Sequence, residues 1–137
     1  MVIGLRPILE VHEGGHALAC IGQGFTAKRT SFNTTDCNIG NEGLFLYRFA
    51  GGTFAAAVFT SPVVLWHRFQ NHIIFRGIIV GLLGYAAGEL GKGIAEAVDF
   101  AFYASDAGDL TFAIVNWITV FTLAFFLRPK RNLDLAL

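Results

Sequence analysis

The sequence predicts a mainly α-helical, polytopic membrane protein: a bundle of about four membrane helices with a β-hairpin inserted after the first. Three observations carry this expectation. Hydrophobic residues make up 54% of the 137-residue chain against 15% charged, and mean hydropathy is +0.56, a composition suited to lipid rather than water. The few charges cluster between apolar runs, and the run from Leu110 to Leu127 is uncharged and of transmembrane length. After the first apolar run, residues 25–49 change to Thr, Asn, Gly and Lys mixed with β-branched and aromatic residues, which reads as a hairpin with a Gly/Asn turn. The expected organisation is one domain over 1–137, with a motif helix over 6–24, the hairpin over 25–49, membrane helices over 50–127 and a tail over 128–137.

Pro7 suits the first turn of a helix, and Gly22 and Gly24 are natural stops. This first helix carries Arg6, Glu10 and Glu13, charges too costly to face lipid, so neighbours or a metal must shield it. Ala50 to Trp66 has no charge, opens on Ala50-Gly51-Gly52, which allows close helix approach, and is kinked or ended near Pro62. A polar turn follows, whose His67 and His72 read as interfacial residues rather than ligands. Ile73 to Gly91 is the next apolar run, continued by Glu89, Lys92, Glu96 and Asp99 at helical spacing. That polar stripe reads as an amphipathic interfacial segment, or one turned inward, with residues 93–105 returning partway across the membrane. Ser105, Asp106 and Asp109 stand at the start of the last helix, where they can cap it. Arg128, Lys130 and Arg131 close that helix.

Formal net charge is zero and the pI is near 6.9, so no basic field exists to attract nucleic acid. Cys20 and Cys37 lack the spacing of a structural zinc site and read as two free thiols. No small-residue cleavage site follows the N-terminal apolar run, so no removable signal peptide is expected.

The chemistry lies in His12-Glu13-Gly14-Gly15-His16. On a helix, His12 and His16 stand one turn apart on one face, where two imidazoles can share a zinc ion while Glu13 addresses a water beside it. Zinc with an open coordination position brings its water towards neutral pKa, and a carboxylate can then carry the proton. Cys20 lies too far along the same face to join, about 12 Å from His12 at ~1.5 Å per residue.

With the aliphatic residues before it, His12-Glu13-x-Gly15-His16-Ala17 resembles the H-E-x-G-H-A signature of the site-2 protease family of intramembrane zinc metalloproteases. The order of parts, from motif helix through hairpin and Gly-rich membrane helix to an Asp-containing segment opening the last core helix, is similar to the family's compact bacterial branch. The resemblance implies His12 and His16 as zinc ligands, Glu13 as general base and Asp106 as third protein ligand. It also implies a site near the cytoplasm and residence in a bacterial inner membrane. The setting of Asp106 departs from the family's L-D-G pattern, which leaves Asp109 in competition with it, and Asp99 is a further alternative.

The expected function is therefore hydrolysis of a peptide bond in a membrane-anchored protein substrate, inside the lipid bilayer. The alternative is a catalytically silent subunit or assembly factor of a larger membrane complex, to which fourteen phenylalanines would offer a broad apolar surface. A transporter built on the stripe from Glu89 to Asp99 is weaker, since no inverted repeat is evident.

Overall fold

A computed structural model describes residues 6–31, 34–69 and 71–127, the side chains at 6 and 8 excepted. The expected tail and its basic residues lie outside the described residues. The chain is mainly helical: α1 (Arg6–Gly22), strands β1 (Ala27–Ser31) and β2 (Thr34–Cys37), then α2 (Asn41–Thr60), α3 (Trp66–Phe69), α4 (Ile73–Val98), α5 (Phe100–Tyr103) and α6 (Asp106–Phe126). A 3-10 turn, Ser61–Leu65, joins α2 to α3 where Pro62 cannot continue the α-helical hydrogen bonding. Three helical stretches are long and apolar enough to cross a membrane: Asn41–Phe69, Ile73–Val98 and Asp106–Phe126. α1 is not among them.

α1 stops where the glycines predict. Gly24 takes a φ of 84°, and the N–H of Phe25 returns to the carbonyl of Cys20 at 3.0 Å, so the chain reverses at once into the hairpin. The two antiparallel strands pair Ala27 with Cys37 and Arg29 with Thr35, and the register shifts before Ser31 pairs with Thr34. Three expectations are corrected here. The hairpin ends at Cys37, and residues 41–49 are the first turns of α2. Residues 93–98 do not return across the bundle but continue α4 straight on, so the polar stripe stays on a long helix. Cys20 and Cys37 are joined in a disulfide, their Cα atoms 6.0 Å apart, because the hairpin folds back onto the end of α1.

The bundle is assembled through glycine. Gly51 and Gly52 are consecutive on α2 and face different neighbours. A Cβ on Gly15 of α1 would come within 2.7 Å of Phe54 Cβ and 2.9 Å of Gly51 Cα, and one on Gly52 would come within 2.6 Å of Gly93 Cα on α4. α2 is thus clamped between α1 and α4 with backbones in near contact, as small-residue crossings permit. α6 lies antiparallel on the other side of α4, with Asn116 and Val120 against Gly88 and Gly84, and Phe112 near Gly91. Its inward face is the row 108, 112, 116, 120, and most of its other apolar residues, including Trp117, Ile118 and Phe121, are exposed. The ends of α1 and α4, the beginnings of α2 and α6, and the hairpin therefore gather at one end of the bundle.

Candidate metal centre

At that end, His12 and His16 of α1 meet Glu96 of α4. All three side chains are buried, and one ligand atom from each lies within 4.8 Å of the others. Among the described residues this is the group of ligand-type side chains that converges. Spacing on one helix brings the imidazoles together, and the Gly52–Gly93 crossing brings α4 near enough for Glu96 to reach them.

Each imidazole is oriented by its other nitrogen. His16 Nδ1 lies 2.8 Å from the backbone carbonyl of Tyr47, which can only accept, so Nδ1 carries the hydrogen and Nε2 of the neutral ring presents a lone pair. His12 Nδ1 donates to Glu89 Oε2 at 2.7 Å, and Lys92 Nζ donates to the other Glu89 oxygen at 2.9 Å. Imidazoles that hold a metal are fixed in this way, by a carbonyl or carboxylate behind the ring.

Four observations test whether a divalent ion fits. Glu96 Oε2 is 3.5 Å from Nε2 of both histidines. That is long for a charge-assisted hydrogen bond, and close to the ~3.3 Å that separates two ligands of a tetrahedral zinc with bonds of about 2.0–2.1 Å. His12 Nε2 and Glu96 Oε2 are buried and have no hydrogen-bond partner among the described residues, a costly condition unless something else satisfies them. Gly51 leaves open the space before them, since a Cβ there would stand 2.7 Å from His12 Nε2 and closer still to His16 Nε2. Finally, Glu13, Glu89 and Glu96 place three carboxylates around the site against one ammonium, Lys92, and a divalent cation balances the remainder. The residues present fit zinc.

Burial opposes a charge on His12, but its hydrogen bond to Glu89 and the nearby Glu96 carboxylate outweigh that, and without a metal its pKa is raised to about 9. A metal must therefore displace a proton there.

Beside the ligands is a cavity of about 290 Å³, lined by Glu13, His16, Thr35, Tyr47, Glu96 and Tyr103 among others. The hairpin forms one wall: Thr35 Oγ1 donates to the Glu13 carbonyl at 3.3 Å, and the Tyr47 hydroxyl donates to the Thr35 carbonyl. Burial first, then the carboxylates of Glu96, Glu89 and Glu13, push the Tyr103 phenol well above its usual pKa, so it remains a donor.

Of the residues singled out from sequence, His12, His16 and Glu13 share this centre and Asp106 does not. Asp106 is the first residue of α6 and is exposed. Gly108 and Phe112 define the buried face of that helix, which turns position 106 about 200° away from it at ~100° per residue. Asp109 is likewise exposed in the first turn. Asp99 caps α5, accepting from the N–H of Phe102 at 3.0 Å. Glu96, and not Asp106, is the third ligand-type side chain beside the two histidines. The signal for it was the pair Glu89 and Glu96, seven residues apart on one face of an apolar helix, since carboxylates inside a membrane-length helix are costly unless they have work to do.

No family model matches the chain, and neither any characterised protein nor any solved structure does.

Proposed function

We propose that this protein is a membrane-embedded zinc hydrolase that cleaves a peptide bond of a membrane-anchored protein, with His12, His16 and Glu96 as ligands. The observation that carries the proposal is the convergence of three buried ligand side chains whose imidazoles are held from behind, next to a cavity that Glu13 lines. The three apolar helices support a membrane setting. The likeness to site-2 proteases rests on the motif and the order of elements, with Glu96 in place of the aspartate.

Zinc bound there would polarise a carbonyl and make water more acidic. The chain supplies the rest. Glu13, on the same helix as both histidines, accepts the proton of water and returns it to the departing amine. Tyr103, still protonated, donates to the carbonyl oxygen as negative charge gathers on it. Thr35 and Tyr47 hold the hairpin wall against α1 and so shape the cavity into which an unwound peptide must fit.

A silent structural subunit has the exposed aromatic face of α6 in its favour, but that reading gives no reason to bury two carboxylates, Glu89 and Glu96, against two histidines. The deciding experiment reconstitutes the protein with a membrane-anchored peptide library and compares wild type with Glu13→Gln. Cleavage lost with zinc retained supports the hydrolase; a library left intact by zinc-loaded wild type argues for the silent subunit.

A further inference from the structure

Two features other than the metal ligands bear on which side of the membrane the cavity is reached from. The first is the Cys20–Cys37 disulfide, which ties the hairpin to the end of α1, with Cys20 fully buried. Such bonds persist in oxidising compartments and are rare in the cytoplasm. The hairpin end, where the cavity lies, therefore belongs on the oxidising side.

The second is the distribution of charge. α2 runs away from the hairpin end, α4 returns to it and α6 runs away again, so the α2–α4 connection and the end of α6 share the far face. No acidic residue occurs between Glu42 and Glu89, and the connection carries Arg68, His67 and His72, with Arg76 in the first turn of α4. Arg68 lies over the ring of Phe69 at 5.8 Å and Arg76 over that of Trp66 at 5.9 Å. In sequence, Arg128, Lys130 and Arg131 follow α6 directly. The hairpin has Lys28 and Arg29, Arg48 and Lys92 lie near the same end, and five acids, Asp36, Glu42, Asp99, Asp106 and Asp109, stand in the hairpin or at the nearby helix ends. Short loops rich in Lys and Arg stay in the cytoplasm. The disulfide carries the orientation, and the Lys and Arg count, five on the far side against four at the hairpin end, leans the same way.

We infer that the cavity opens on the extracytoplasmic face, opposite to the side implied by the likeness to site-2 proteases. Granting the hydrolase reading above, its substrate class is then a membrane-anchored chain whose scissile segment has already crossed the bilayer.

Two measurements on the full chain in bacterial cells test the orientation. Thiols are quenched with acid, then reacted with a polyethylene glycol maleimide with and without prior reduction; no adduct before reduction and two after it are expected, with a Cys20→Ser/Cys37→Ser chain giving none. Green fluorescent protein fused after Leu137 should fluoresce, and alkaline phosphatase at the same position should be inactive, because the eleven residues between α6 and the fusion are too few to recross a bilayer that needs about 20. Two adducts without reduction, or an active phosphatase fusion, would each overturn the proposal. Neither readout needs zinc or cleavage, so a silent protein could still pass and an active hydrolase could still fail.

Discussion

Gly51→Ala is the smallest change that should empty the metal site. The added methyl carbon would stand 2.7 Å from His12 Nε2 and 2.6 Å from His16 Cε1. A comfortable contact is about 3.5 Å, so both rings would have to retreat by roughly 0.8 Å. They have little room to do so. Their Nδ1 atoms are bonded at 2.7 and 2.8 Å to Glu89 and Tyr47, and α1 is already pressed onto Gly51 through Gly15. Metal–ligand distances tolerate displacements of only about 0.2 Å. Loss of a partner behind a ligating histidine typically costs 10–100-fold in affinity, so displacing both rings should cost about 100-fold or more, ~2.7 kcal/mol. The assay is competition for zinc against a chromophoric chelator in mild detergent, with circular dichroism confirming that the helices persist. Gly81→Ala is the control: nothing lies within 4 Å of its added Cβ, so zinc affinity should be unchanged and the helix should gain up to about 1 kcal/mol. A Gly51→Ala protein that binds zinc within threefold of wild type would refute the placement of the ion between these rings.

Three further outcomes are expected. Glu89→Gln should weaken zinc binding about 10–100-fold without removing a ligand, because His12 loses its anionic support; unchanged affinity would reduce Glu89 to a packing role. The raised His12 pKa of about 9 sets the pH dependence: in the metal-free protein its stabilising charge is complete below about pH 6.5 and is lost as pH rises through 9, while zinc, competing with that proton, should bind more tightly as pH rises from 6 to 9. A zinc affinity flat over that range would contradict the displacement. Cys37→Ser should lower stability in detergent by about 3 kcal/mol, the entropy of closing a loop with a 17-residue separation, and an unchanged melting temperature would mean the hairpin is held by other contacts.

Much of this arrangement is legible in the chain. Arg6 to Gly22, the Gly51–Gly52 crossing and the last helix follow from caps, small residues and apolar runs, and the histidine spacing announces the two imidazole ligands. Residues 41–49 mislead because aromatic Phe45, Tyr47 and Phe49 alternate as in a strand. Yet that stretch holds no β-branched residue and has an acid, Glu42, in its first turn, both of which suit a helix. The disulfide is invisible to spacing because it depends on the hairpin folding back. Glu96 is harder still. Its stripe with Glu89 and Lys92 is plain in the sequence, but which way that stripe faces is decided by the Gly52–Gly93 contact, between residues 41 positions apart. Asp106 drew attention through family likeness, whereas Ser105 and Gly108 set a helix start that turns it to solvent.

The most direct test of the central claim is zinc content per chain, by mass spectrometry, for wild type, Glu96→Ala and Asp106→Ala purified side by side in mild detergent. The account predicts about one zinc in wild type and in Asp106→Ala and next to none in Glu96→Ala, since of the two carboxylates only Glu96 reaches the ion between His12 and His16. Full zinc in Glu96→Ala together with loss in Asp106→Ala, or no zinc in wild type after growth with added metal, would contradict it.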